Sequence, residues 1–154
     1  MSVAVTHVLT IGITTILIAM LLMGGSAMLD SETERSTETS LETVGERLAG
    51  EIDNVDRIVD DEDDEATIVA DHPRTVANSG YTVTLLPMGA CEGDHAPLLD
   101  GSNPCLKLSS HEGGVTVHVP VAVDADINEE SSAAGGSIEV VHDGETIEIT
   151  EADR

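Results

Sequence analysis

Ile11-Gly12-Ile13-Thr14-Thr15-Ile16-Leu17-Ile18-Ala19-Met20-Leu21-Leu22-Met23 is followed, beyond Asp30, by Leu41, Val44, Leu48, Ile52, Val55, Ile58 and Val59 at spacings of three and four. The first stretch is apolar on every side of a helix, and the second set is apolar on one side only. No Asp, Glu, Lys or Arg occurs from residue 3 to residue 29. A bilayer core takes about 20 apolar residues as helix, so residues 1–29 are expected to form a transmembrane helix. Two other readings compete with it. A secretory signal could be cut after Gly25-Ser26-Ala27, but the run exceeds the usual h-region of about 7–15 residues and has no basic residues before it. A helix buried in a soluble domain would be too apolar for so small a chain.

Thr6, Thr10 and Thr14 recur every fourth residue, with His7 beside them. The ordinary reading is that each hydroxyl bonds the carbonyl one turn back. The sharper reading is a helix-packing face, because hydroxylated residues favour close approach between helices in lipid.

Residues 30–65 read as an amphipathic helical stalk and an acidic loop. Residues 31–40 are Ser, Thr, Glu and one Arg, without Pro or Gly. Opposite the apolar stripe lie Glu42, Glu46, Arg47, Asp53, Asp56 and Arg57. Asp53 and Arg57 make an attractive pair worth only tenths of a kcal/mol. Gly45 and Gly50 each weaken the helix by roughly 1 kcal/mol relative to Ala, and would let another element pack close. Asp60-Asp61-Glu62-Asp63-Asp64-Glu65 should end the helix in a solvated loop. It lacks the alternation and internal Gly of a calcium loop, so only diffuse cation binding is expected there.

From Ala66 the period changes to two. Residues 66–70, 81–86, 105–109, 115–123, 138–142 and 145–149 are candidate strands. Pro120 puts its strand at an edge or a bulge, and Asp143-Gly144 signals a hairpin. Loops are expected around residues 71–73, 93–104 and 124–136. The fold class is therefore α+β: a long N-terminal helix, transmembrane then amphipathic, followed by a small antiparallel β-sheet head at 66–154. The sheet should pack its apolar face on the helix stripe. His118 and His142 fall within strands and are expected to face solvent.

The formal charge is −24, from 30 acidic and 6 basic residues, and Lys107 is the single lysine. Such a chain repels itself in dilute salt. At molar salt the screening length falls to about 3 Å, which points to a halophilic setting. No basic patch exists for nucleic acid. Phe and Trp are absent and Tyr81 is the only aromatic residue, so the core must be thin and aliphatic. Cys91 and Cys105 bracket a Gly- and Pro-rich loop. A disulfide is expected outside a membrane, and a ring of roughly 15 residues would contribute about 3 kcal/mol. Free thiols, or a metal site sharing His95 and His111, are the alternatives, although no zinc spacing is present. No nucleophile elbow, phosphate loop, zincin helix or dinucleotide motif occurs, so neither an enzyme nor a cofactor is expected.

An apolar helix running into an amphipathic one and then a β head resembles the type IV pilin plan. Thr6-His7-Val8-Leu9-Thr10-Ile11-Gly12-Ile13-Thr14-Thr15, Glu46-Arg47-Leu48-Ala49-Gly50-Glu51 and the residues around Asp143-Gly144 resemble small haloarchaeal pilin-like proteins. The basic residue and Gly at which archaeal prepilins are cut do not occur in Met1–Ala4, and the early acidic side chain of many bacterial pilin helices is missing. The resemblance implies a structural or assembly protein of the cell surface, a minor filament component. Its partners would be membrane lipid and other pilin-like subunits, met through the N-terminal helix, with the head extracytoplasmic. The alternative is a single-span anchored binding module that never polymerises.

Overall fold

No proline occurs before Pro73, and nothing in the first fifty-odd residues removes a helical hydrogen bond. The computed structural model, which describes residues 2–59, 65–91, 96, 99–127 and 130–152, accordingly has one helix, α1, over Ser2–Asp56. The helix closes with Arg57 N–H on Asp53 O and a tighter bond from Ile58 N–H to Val55 O, both 3.1 Å. It stops short of Val59, and Ile58 leaves the stripe to stand 66% exposed. The acidic run at 60–64 lies outside the described residues.

Among the described residues eight strands follow: β1 (Ala66–Asp71), β2 (Thr75–Val76), β3 (Ser79–Leu86), β4 (Cys105–Ser110), β5 (Thr116–Pro120), β6 (Ser131–Ala134), β7 (Ser137–His142) and β8 (Ile147–Glu151). They form two antiparallel sheets where a single sheet of five or six strands was expected. One has the order β1-β7-β8. The other has the order β2-β3-β4-β5, with β6 also paired to β3. The chain passes from the second sheet to the first through Gly135 and Gly136, the latter at φ 135. A Cβ on Gly135 would lie 2.5 Å from Tyr81 Cε1, so glycine there is a requirement of packing. Tyr81 itself is buried, and its hydroxyl donates to Pro73 O at 2.6 Å.

Met1–Arg35 and Ser36–Arg154 form two compact units. In the second, the stripe works as its spacing predicts. Leu41, Leu48, Ile52 and Val55 are fully buried and join one core with Val83, Leu85, Leu106, Leu108, Ile138, Val140 and Ile149. Each such side chain contributes about 1.5–3 kcal/mol on burial. Gly45 marks the closest approach of helix to sheet: a Cβ there would meet Val119 Cγ2 at 2.7 Å and Leu108 Cδ1 at 2.8 Å. Gly50 has nothing within 4 Å.

Several boundaries differ from the expected ones. β5 ends at Pro120 and does not reach Val123; it lies on the edge of its sheet, as a residue without an N–H requires. β8 starts at Ile147, because the Asp143 carboxylate accepts the N–H groups of Glu145 and Thr146 and holds both in the turn. Ser131–Ala134, within an expected loop, is a strand through its register with Thr82–Leu85.

Candidate functional site

The first half of α1 has a largely apolar surface. From Val5 to Leu29 its large hydrophobic side chains stand between 52% and 75% exposed. None of its most apolar stretch is buried within the chain. The helix is thus long and apolar enough to cross a membrane. Within it, Thr10 Oγ1 donates to Thr6 O, Thr14 Oγ1 to Thr10 O, and Thr15 Oγ1 to Ile11 O, each at 2.8 Å. Hydroxyls bonded in this way can sit against lipid without an unpaired donor.

The cysteines are joined. Cys91–Cys105 is a disulfide with Cα atoms 6.0 Å apart, and both residues are fully buried. Cys105 opens β4 opposite Leu86, the last residue of β3. The bond therefore fastens the loop between these strands at the start of β4.

Two histidines hold the end of α1 to the sheet β1-β7-β8, and the sequence reading missed both. His72 follows β1 with its side chain fully buried, and its Nε2 lies 3.0 Å from Glu51 Oε2. Its Nδ1 has no hydrogen-bond partner among the described residues. His142, expected to face solvent, is 3% exposed. Its Nδ1 accepts Gly144 N–H at 2.9 Å, which leaves the proton on Nε2, 3.5 Å from Asp56 Oδ1. Asp56 was expected on the solvent face, yet its side chain is only 9% exposed. Its carboxylate also accepts the N–H groups of Asp124 and Ala125, at 2.9 and 3.1 Å. A signal was present: His142 shares the parity of Ile138 and Val140 in β7, and both of those are buried.

Elsewhere Arg74, Gly135, Gly136, Ser137 and Glu151 border an open hollow of about 340 Å³. Glu151 Oε1 is already bonded to Ala134 N–H at 3.3 Å, and the Ser137 hydroxyl to Asp71 at 2.6 Å. Among the described residues no group of three or more His, Cys, Asp or Glu could hold a metal ion.

No curated protein and no solved structure matches the chain. A family of unknown function, DUF7266, matches residues 1–151, and the chain belongs to that family.

Proposed function

We propose that this chain is a pilin-like structural or assembly subunit of a haloarchaeal cell surface, a minor component of a filament. In this reading the first half of α1 lies in the membrane or among the helices of other subunits, and the head is extracytoplasmic. The observation that carries it is the division of one unbroken helix. Its first half is apolar and exposed, while its second half supplies Leu41, Leu48, Ile52 and Val55 to the head's own core. A membrane anchor alone needs no helix that goes on to supply the head's core. The Cys91–Cys105 bond supports an oxidising compartment, and the charge of −24 supports high salt.

The second reading is a single-span binding module that does not polymerise. It is favoured by Thr10, Thr14 and Thr15 of α1, whose hydroxyls are bonded within the helix and call for no partner helix.

Surface filaments isolated in high salt and analysed by mass spectrometry separate the two. The pilin-like reading expects this chain among their components; its presence only in membranes would favour the module. Both require the anchor. Replacing Ile16 and Leu17 with Asp adds roughly 2.5–3.5 kcal/mol each near mid-bilayer and should release the chain from membranes. Undiminished membrane association of that variant would sink both readings.

A further inference from the structure

The two sheets of the head present outer faces of different charge. In β3–β5 the alternation turns Tyr81, Val83, Leu85, Leu106, Leu108 and Val119 inward. Their neighbours form two outward rows across the strands, Thr82–Ser109–Thr116 and Thr84–Lys107–His118. No outward position in β2–β6 is Asp or Glu, in a chain that has 30 of them, and this face carries the single lysine. Glu151 reaches only the rim, on Ala134 N–H. The other sheet is the opposite case. Its outward positions include Asp71, Glu139 and Glu148, and among them Val69 is 59% exposed.

We propose that the hydroxyl-lined face of β2–β6 docks a second copy of this chain, through that copy's acidic β1-β7-β8 face. Copies that each carry −24 repel wherever carboxylates meet, so the face whose strands carry no carboxylate is where another copy can approach. Lys107 then meets Glu139 or Glu148 directly, at a range that survives the screening length of about 3 Å in molar salt. Val69 contributes the apolar part of the contact. A glycan ligand is disfavoured, because the chain has no Phe or Trp and its one tyrosine, Tyr81, is 1% exposed and offers no stacking surface.

Strands about 4.8 Å apart rising about 3.3 Å per residue make this face roughly 300 Å². That is well under the roughly 800 Å² per partner of a stable complex. The contact is therefore weak between free heads and gains its strength from copies held at high local concentration by their helices. It joins two different surfaces, so it leaves one of each unfilled and can repeat along an assembly. The inference rests on the filament reading and adds which faces of the heads meet.

The single lysine makes the test specific. Full-length chains with two isotope labels, co-expressed and kept in high-salt membranes or filaments, are treated with a zero-length carbodiimide that joins amines to carboxylates. Mixed-isotope peptides joining Lys107 to Asp71, Glu139 or Glu148 are expected. Thr84→Asp and, separately, Thr116→Asp should abolish them while the melting temperature of each variant confirms a folded head. Lys107 joined only within its own chain, or to carboxylates of α1 such as Glu42, overturns the inference. If mixed filaments form without the expected peptides, this inference fails and the filament reading stands. If the chain is found in no filament and no copies are joined, both fail.

Discussion

His72 Nε2 and Glu51 Oε2 lie 3.0 Å apart, joining the end of β1 to the last turns of α1 through a side chain with no solvent exposure. Removing Glu51 leaves a buried donor unpaired, which costs about 1–3 kcal/mol. Glu51→Ala should therefore lower the melting temperature of the full chain in detergent and high salt by several degrees. Glu51→Gln, which keeps an acceptor, should lose less. Equal melting temperatures for all three proteins would show that the pair contributes nothing.

The glycines of α1 give two variants of opposite sign. At Gly45 a new Cβ would sit 2.7 Å from a methyl of Val119 and 2.8 Å from one of Leu108. Overpacking of that kind costs about 1–3 kcal/mol, more than the roughly 1 kcal/mol that alanine adds to helix propensity. At Gly50 nothing lies within 4 Å, so the propensity term acts alone. Gly45→Ala should destabilise and Gly50→Ala should stabilise by about 1 kcal/mol. Thermal unfolding of both checks this, and a stabilised Gly45→Ala would mean that the helix does not approach the sheet so closely.

Those two positions also show how far the sequence could be read. The stripe from Leu41 to Val55 was legible because a period of 3.6 residues identifies a face without reference to what covers it. Pro120 at an edge and the Cys91–Cys105 bond were legible for similar reasons: each residue type restricts its own surroundings. Which of Gly45 and Gly50 touches the sheet was not legible, since that depends on where the helix crosses it. Ser131–Ala134 was missed because Ser and Ala have little strand preference and become a strand only through pairing with β3. The division into two sheets depends on Gly135 and Gly136, where the need for glycine comes from a Tyr81 ring more than fifty residues away in sequence.

Loss of the disulfide should be costly to this aliphatic core. With its two cysteines 14 positions apart in sequence, Cys91–Cys105 removes roughly 3 kcal/mol of unfolded-state entropy. A Cys91→Ser, Cys105→Ser variant should melt several degrees lower. Thiol labelling of the denatured but unreduced protein checks the bond itself. No label is expected before reduction and two after it; full labelling before reduction would mean that the bond does not form.

Burial pushes the Tyr81 phenol up from 10.0 to about 12. Between those values the folded chain keeps a proton that the unfolded chain has lost. Tyr81 thus contributes its full stability below pH 10, and this contribution falls as pH rises toward 12, by about 1.4 kcal/mol per pH unit. Phenolate absorbance reads the group directly, since no other aromatic residue is present. A transition near pH 10 in the folded protein would contradict the burial.

The charge of −24 predicts dependence on salt. Dilution from molar salt to about 0.1 M lengthens the screening distance from about 3 Å to about 10 Å. Far-ultraviolet circular dichroism should then lose its β contribution. A spectrum unchanged across that range would remove the support for a halophilic setting.

The stripe on α1 also determines how the head would bear a mechanical load. Leu41, Val44, Leu48, Ile52 and Val55 are spread along the helix, and all are buried in the head. A pull along the helix axis therefore loads these contacts in shear, together with the bonds at Glu51 and Asp56. They must slip nearly at once for the helix to come free, whereas a pull across the axis could peel them one by one. A head held in this way withstands tension transmitted through its own helix better than its modest aliphatic core alone would.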